Sequence, residues 1–261
     1  MYPYIFGVID SYVLFLFIGV ICAFLLLSLY FKFVYKKDKY FILDLLFSGI
    51  ISVLFGVVFA CLFENLYEFA LDPTNYKWTF GMTFLGGLFG GVGGFLIMYF
   101  FYFKKRNGSA IKELLIIAPS CITLAHAFGR IGCFLAGCCY GVETTSIIGV
   151  KFPFLDHKVI PTQLIECIFL FLLTLLMLLL VFKFKFKYSF VIYLLSYGIF
   201  RFVIEFFRGD ERGAFLGIFS PSQVWCIVMI LGAIPLYFLY CFDYSFTNYI
   251  NLWIINLFYV F

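Results

Sequence analysis

His126-Ala127-Phe128-Gly129-Arg130-Ile131-Gly132-Cys133-Phe134-Leu135-Ala136-Gly137-Cys138-Cys139-Tyr140-Gly141 gathers an imidazole, a guanidinium, three thiols and four glycines. The chain around it is mostly apolar. Of its 261 residues, 65% are hydrophobic and 12% charged, and the mean hydropathy is +1.09. A soluble domain carries about 25% charged residues, so this composition excludes one and defines a polytopic membrane protein. A charge placed inside a membrane is costly and by default marks a functional site. Arg130 and His126 are therefore the first candidates.

A hydrocarbon core about 30 Å thick needs roughly 20 apolar residues in a helix. Working outward from the central stretch, seven runs approach that length: 12–33, 41–63, 83–103, 111–128, 164–182, 188–207 and 223–242. The prediction is an all-α integral membrane protein, a bundle of seven transmembrane helices forming one membrane domain over residues 1–261. An acidic turn with Glu64, Glu68 and Asp72 separates the second and third runs, and a polar loop covers Gly141 to Pro161. The apolar tail 249–261 is short for a span and reads as an interfacial helix. The first ten residues lack the basic n-region of a cleavable signal peptide.

Basic residues cluster after alternate runs: Lys32, Lys36, Lys37 and Lys39 after the first, Lys104, Lys105, Arg106 and Lys112 after the third, Lys183, Lys185 and Lys187 after the fifth. The positive-inside rule then puts the amino terminus outside, the carboxyl terminus in the cytoplasm, and the central stretch at the outer face. The net charge of +4 sets topology in this reading, and no nucleic-acid partner is expected. The 40 Phe residues are attributed to AT-rich codon usage, not to an aromatic cage.

His126 and Arg130 lie four residues apart and share a helix face. Arg201, Glu205 and Arg208 fall at i, i+4 and i+7, again one face. Where the two faces meet they would form a cationic pocket with one carboxylate. The planar guanidinium fork suits phosphate, and the alternative is an internal ion pair that pins two helices. His126 is either a base of near-neutral pKa or a hydrogen-bonded interior histidine. His157, beside Asp156 in the polar loop, reads as solvated.

The glycines Gly129, Gly132, Gly137 and Gly141 suggest a broken or tightly turned backbone, tolerated at membrane depth where it lines a cavity. Gly86, Gly87, Gly90, Gly91, Gly93 and Gly94 would let helices approach closely. Six of the nine cysteines sit singly in apolar runs and read as small hydrophobes. Cys133, Cys138 and Cys139 lack the paired C-x-x-C of a zinc site, and adjacent cysteines chelate one metal poorly. No metal is expected there; packing, or a disulfide from Cys133 to Cys138 or Cys139, is the reading.

Gly129-Arg130-Ile131-Gly132 opening a glycine-punctuated segment resembles the signature of the prolipoprotein diacylglyceryl transferase family. Thr83-Phe84-Leu85-Gly86-Gly87-Leu88 is similar to that family's Phe-His-Gly-Gly-Leu segment. Pro161-Thr162-Gln163-Leu164-Ile165-Glu166 is similar to its Pro-Ser/Thr-Gln-Leu-Tyr-Glu. Tyr197-Gly198-Ile199-Phe200-Arg201-Phe202-Val203-Ile204-Glu205-Phe206-Phe207-Arg208 resembles its Tyr-Gly-x-x-Arg-Phe-x-x-Glu-Phe-x-Arg. Gln223 matches a glutamine late in the family, and Tyr12 a tyrosine at the start of its first helix.

The resemblance implies transfer of the diacylglyceryl group of phosphatidylglycerol to the lipobox cysteine thiol of a prolipoprotein, in a bacterial plasma membrane and without a cofactor. It implies Arg130, Arg201 and Glu205 as catalytic residues; His126, a catalytic candidate from its own neighbourhood, takes over as base, or another group does, or the activity has changed. Tyr12, Gly86, Gly87, Gly132, Cys133, Gly141, Gln163 and Arg208 would bind substrate. The chain departs from the pattern at Leu85, where the family has a histidine proposed as base, and at Cys133, where it has Asn. Ala136-Gly137-Cys138 replaces Asn-Gly-Glu, and Ile165 replaces Tyr. Two other classes stay open on the residues alone: a phospholipid-binding or lipid-transport protein that performs no chemistry, and a thiol-redox membrane protein using Cys133, Cys138 and Cys139.

Overall fold

A computed structural model describes residues 4–5, 9–74, 76–209 and 219–241. The tail 249–261 and most of the charged turn after Arg208 lie outside the described residues. Eight α-helices follow in order: α1 (Ser11–Phe33), α2 (Lys39–Leu71), α3 (Phe84–Met98), the single turn α4 (Lys104–Asn107), α5 (Ile111–Ala136), α6 (Thr162–Phe184), α7 (Ser189–Ile204) and α8 (Pro221–Cys241). A π-helical turn, Tyr99–Phe103, joins α3 to α4, and a 3₁₀ turn, Glu205–Phe207, ends α7. With α3, the π turn and α4 counted as one, seven segments of the described residues are long and apolar enough to cross a membrane. The protein is a multi-pass, almost wholly helical membrane protein. Its only described strands are two short antiparallel pairs, β1 (Tyr4–Ile5) with β2 (Ile9–Asp10) and β3 (Val150–Lys151) with β4 (Lys158–Val159).

Two sequence expectations are corrected here. Glu64 and Glu68 are not in a turn, because α2 stays helical through both to Leu71. The central stretch is not broken at Gly129 or Gly132, since α5 runs unbroken to Ala136. A helix closes its own backbone hydrogen bonds, so continuing it is the cheapest answer at membrane depth. The helix stops at Gly137, which turns the chain with φ +77.

The described residues fall into two compact units, Ser28–Ala110 and Met1–Leu27 with Ile111–Phe261. In the first, α2 packs on α3 through a ridge of Gly86, Gly90 and Gly94, where an added Cβ would meet Phe59 or Phe55 of α2. Close glycine-mediated approach is thus what that run provides. Asp44 of α2 accepts from Tyr102 Oη (2.8 Å), Arg106 Nε (3.0 Å) and Asn107 Nδ2 (2.9 Å), which anchors the π turn and α4.

In the second unit, α5 and α6 share a buried hydrogen bond between the Thr123 and Thr174 hydroxyls at 2.7 Å. Around it, Ala127, Cys167, Leu170, Leu173, Met177 and Tyr197 form the core. Gly198 of α7 admits Cys226 and Ile230 of α8, and Gly132 of α5 admits the backbone of Tyr12 in α1. A Cβ on Gly132 would stand 2.9 Å from Tyr12 Cα, whereas one on Gly129 meets nothing within 4 Å. Opposite outcomes are expected for the same substitution three residues apart. Gly132→Ala should destabilise the protein by about 1–3 kcal/mol through overpacking. Gly129→Ala should be neutral or stabilise by up to about 1 kcal/mol through helix propensity. Thermal unfolding in detergent reads both, and equal shifts would refute this account of Gly132.

The polar segment after Gly137 is folded, not open. Gly141 N–H donates to Ile160 O (2.8 Å), Ile160 N–H to Val142 O (3.0 Å) and Val142 N–H to Phe207 O (2.9 Å). Phe152 is fully buried, its ring against Phe134, Tyr140 and Phe154. These bonds tie the end of α5 to the start of α6 and the end of α7. His157 is exposed, as its setting in the sequence suggested.

Candidate active site

Helices α5, α6 and α7 each bring charge to one place inside the second unit. Glu166 of α6, fully buried, is the hub. Its Oε1 accepts from Arg130 Nη2 of α5 at 3.0 Å and from Tyr197 Oη of α7 at 2.8 Å. His126 Nε2 stands 3.7 Å from the same oxygen, too long for a hydrogen bond but close enough to feel its charge. The imidazole meets the Tyr197 ring edge-on, with centroids 5.3 Å apart.

A second ion pair lies further along α7. Arg201 Nη2 is 2.7 Å from Glu205 Oε2 and also donates to Ser222 Oγ at 3.3 Å. Ser220 donates to Glu205 Oε1 at 2.8 Å. Ser220 and Gln223 also form a capping box at the start of α8: Ser220 N–H donates to Gln223 Oε1 (2.9 Å) and Gln223 N–H to Ser220 Oγ (3.2 Å). The arginine pair is thus anchored to the first turn of the next helix. Arg201 lies one turn beyond Tyr197 on α7, and the Tyr197 hydroxyl bonds Glu166, so the two pairs are neighbours.

Four buried polar atoms of these two pairs have no hydrogen-bond partner among the described residues: Arg130 Nε, Arg201 Nη1, Glu166 Oε2 and Glu205 Oε2, the last ion-paired with Arg201. A buried donor without a partner costs about 1–3 kcal/mol. Two unused guanidinium donors in one low-dielectric site are suited to a multivalent oxyanion such as a phosphate.

The expected catalytic residues His126, Arg130, Arg201 and Glu205 are brought together. The expectation of one carboxylate is corrected to two, because Glu166 neutralises Arg130 while Glu205 neutralises Arg201. Glu166 was visible as the last residue of the Pro161–Glu166 segment, and its charge inside an apolar run was the available signal. The i+7 argument for Arg208 does not hold either. The backbone tightens to 3₁₀ at Glu205 and becomes extended at Arg208 (φ −81, ψ 143). Arg208 leaves the helix face and pairs its backbone with Gly141.

Of the expected substrate-binding residues, Gln163 Nε2 donates to the Cys138 carbonyl, and its buried Oε1 has no partner among the described residues. Tyr12 is 41% exposed on α1. Gly132 is accounted for by the approach of α1, and Gly141 by its bridge to Arg208. Gly86 and Gly87 belong to the other unit; Thr83 Oγ1 caps α3 by accepting from Gly86 N–H at 3.3 Å.

Cys133, Cys138 and Cys139 are gathered as well, with all three sulfurs within 4.8 Å of one another. The Cys138 thiol donates to the Cys133 carbonyl at 3.6 Å.

A multi-pass membrane protein with a buried two-arginine, two-carboxylate site and a histidine beside it is the class that fold and site define. Residues 4–239 match the family model described as prolipoprotein diacylglyceryl transferase, and the chain belongs to that family. It is 36% identical over 243 residues to phosphatidylglycerol–prolipoprotein diacylglyceryl transferase 2 of Clostridium perfringens, covering 89% of this chain and 92% of that one. The Clostridium tetani phosphatidylglycerol–prolipoprotein diacylglyceryl transferase is 34% identical over 203 residues, 76% of this chain and 79% of its own. The Haemophilus influenzae (strain PittEE) enzyme of that name is 33% identical over 197 residues, covering 72% of this chain and 71% of that one.

Proposed function

We propose that this protein transfers the diacylglyceryl group of phosphatidylglycerol to the lipobox cysteine thiol of prolipoproteins in a bacterial plasma membrane. The observation that carries the chemistry is the pair of buried arginines, each held by its own carboxylate and each with an unused donor. Membership of the family supplies the reaction. The new bond joins the acceptor sulfur to the glyceryl carbon that carried the phosphate; the bond from that carbon to the phosphate oxygen breaks, and glycerol phosphate leaves with the electron pair. Charge on that oxygen rises as the bond breaks, and preorganised cationic donors stabilise it most where water is excluded. Arg130 and Arg201 fill this role, and Glu166 and Glu205 hold them in place.

The thiolate is the nucleophile, so a base must take the thiol proton. With leucine at position 85, where related chains are expected to carry a histidine, His126 is the base in this reading. Glu166, 3.7 Å away, would stabilise the imidazolium that forms. Loop charges argue for a site at the outer face, with the amino terminus outside and the carboxyl terminus cytoplasmic.

Purified protein with labelled phosphatidylglycerol and a lipobox peptide tests the reading. The expected product is a peptide heavier by one diacylglyceryl group, with glycerol phosphate released in equal amount. Bound lipid with no product would replace the transferase by a lipid-binding protein. His126→Gln keeps the size and a hydrogen-bonding group but cannot accept the proton. It should lower turnover by about 10²–10⁴-fold, the usual contribution of a positioned base, while lipid binding persists. An unchanged rate would make His126 a packing residue.

A further inference from the structure

The thiol cluster has no part in that mechanism, yet the fold goes to some length to build it. Helix α5 ends in a Schellman cap: Gly137 at positive φ donates to Phe134 O (3.2 Å) and Cys138 N–H donates back to Cys133 O (3.1 Å). That motif always folds the residue after the glycine onto the one five positions before it. Here both are cysteines, which is why Cys133 and Cys138 meet despite a spacing unlike that of paired metal ligands. Cys139 follows in the left-handed region, φ +65, a conformation unfavourable for a side chain with a Cβ. It is held there by Thr162 Oγ1 donating to its carbonyl at 2.9 Å, while Gln163 holds the carbonyl of Cys138. The backbone is thus fixed so that adjacent cysteines, normally poor co-ligands, turn their sulfurs to one point with Cys133.

We propose that Cys133, Cys138 and Cys139 form a three-thiolate site for a soft, thiophilic cation such as Zn²⁺ or Cu(I). Thiolates select these ions, and a Zn–S bond of about 2.3 Å puts two sulfurs on one ion roughly 3.8 Å apart. Sulfurs within 4.8 Å of one another need to close by only about 1 Å. Three thiolates on a divalent ion leave one negative charge, and Arg130 stands three residues before Cys133 on the same helix. Cys138 is exposed, so an ion can enter from that side, and Cys133 is buried, so it is retained. The bound ion would staple the last turn of α5 to the loop whose Gly141 bridges to Arg208. The site stands on the sulfurs and the cap alone, apart from the transferase reading.

Cd²⁺ is the probe, titrated into the full-length protein in detergent with a non-thiol reductant, and followed by the thiolate-to-metal absorption band and by native mass spectrometry. One ion per chain with that band is expected. Cys133→Ser and Cys138→Ser should each weaken binding by at least about 100-fold, since loss of even an outer-shell partner costs 10–100-fold. Cys121→Ser, a cysteine elsewhere on α5, should bind like the parent and controls for adventitious thiols. Binding without the band, binding indifferent to Cys133 and Cys138, or reduced protein that takes up no ion would each overturn the site. So would a disulfide of Cys133 with Cys138 or Cys139 that survives the reductant.

Discussion

Arg130→Ala is expected to lower diacylglyceryl transfer by about 10²–10³-fold or more, the loss seen when one preorganised donor to a developing oxyanion is removed. The size of the effect follows from what the guanidinium does at once. Its Nη2 holds Glu166 at 3.0 Å and its Nε is buried without a partner among the described residues, 13% of the side chain being exposed. Removing the cation strips the leaving phosphate of a counter-charge and leaves Glu166 with the Tyr197 hydroxyl alone. Breaking a buried ion pair costs about 3–5 kcal/mol, so the rate must be expressed per mole of inserted protein. Arg130→Lys separates the two losses. It restores the charge but not the planar fork, and an ammonium cannot serve carboxylate and phosphate in the same geometry. Lysine should therefore recover folding and only a small part of the rate. Full activity in Arg130→Lys would mean that charge alone matters, and full activity in Arg130→Ala would remove the arginine from the chemistry.

The helices were legible because bilayer thickness imposes a length that apolar runs meet or miss. Even so, the ends shifted where polar residues extend a helix past its apolar part. Glu64 and Glu68 stay in α2 because a helix closes its own hydrogen bonds whatever its side chains, and hydropathy registers only the side chains. Gly129, Gly132 and Gly137 look alike in sequence but have three different settings: open space, a contact with Tyr12, and a left-handed turn. Only partners distant in the chain distinguish the first two. The pairing of His126 with Arg130, and of Arg201 with Glu205, was readable because i, i+4 neighbours are local. Glu166 was not readable as the hub, since it joins Arg130 thirty-six residues upstream to Tyr197 thirty-one residues downstream. The three cysteines were singled out in the sequence, but the way their sulfurs converge was not readable, for a related reason. Spacing rules assume the paired turns of small zinc domains, and a Schellman cap followed by a left-handed residue is another way to converge sulfurs.

Glu166→Gln should cut turnover by about 100-fold while leaving the protein folded and the apparent affinity for phosphatidylglycerol equal or tighter. Glutamine has the carboxylate's shape and keeps an oxygen that can accept from Arg130 and from Tyr197, so the three helices stay joined. What disappears is the negative charge beside His126 and Arg130. With it goes the stabilisation of the imidazolium formed as the thiol proton is taken, a loss at the lower end of what general-base catalysis contributes. The freed positive charge of Arg130 meanwhile attracts the phosphate of the donor lipid more strongly. The signature is therefore a split, with kcat falling and KM flat or lower, which points to an interaction made late in the reaction. A carboxylate that merely pinned helices would behave otherwise: Glu166→Gln would leave kcat intact, or would lower the melting temperature and the yield of inserted protein along with the rate. Coupling the change to His126→Gln sharpens the distinction. If Glu166 acts through the imidazole, the double variant should be little slower than His126→Gln alone, because the charge has lost the group it served. Multiplicative losses would show that the two residues work independently and would dissolve the proposed base pair.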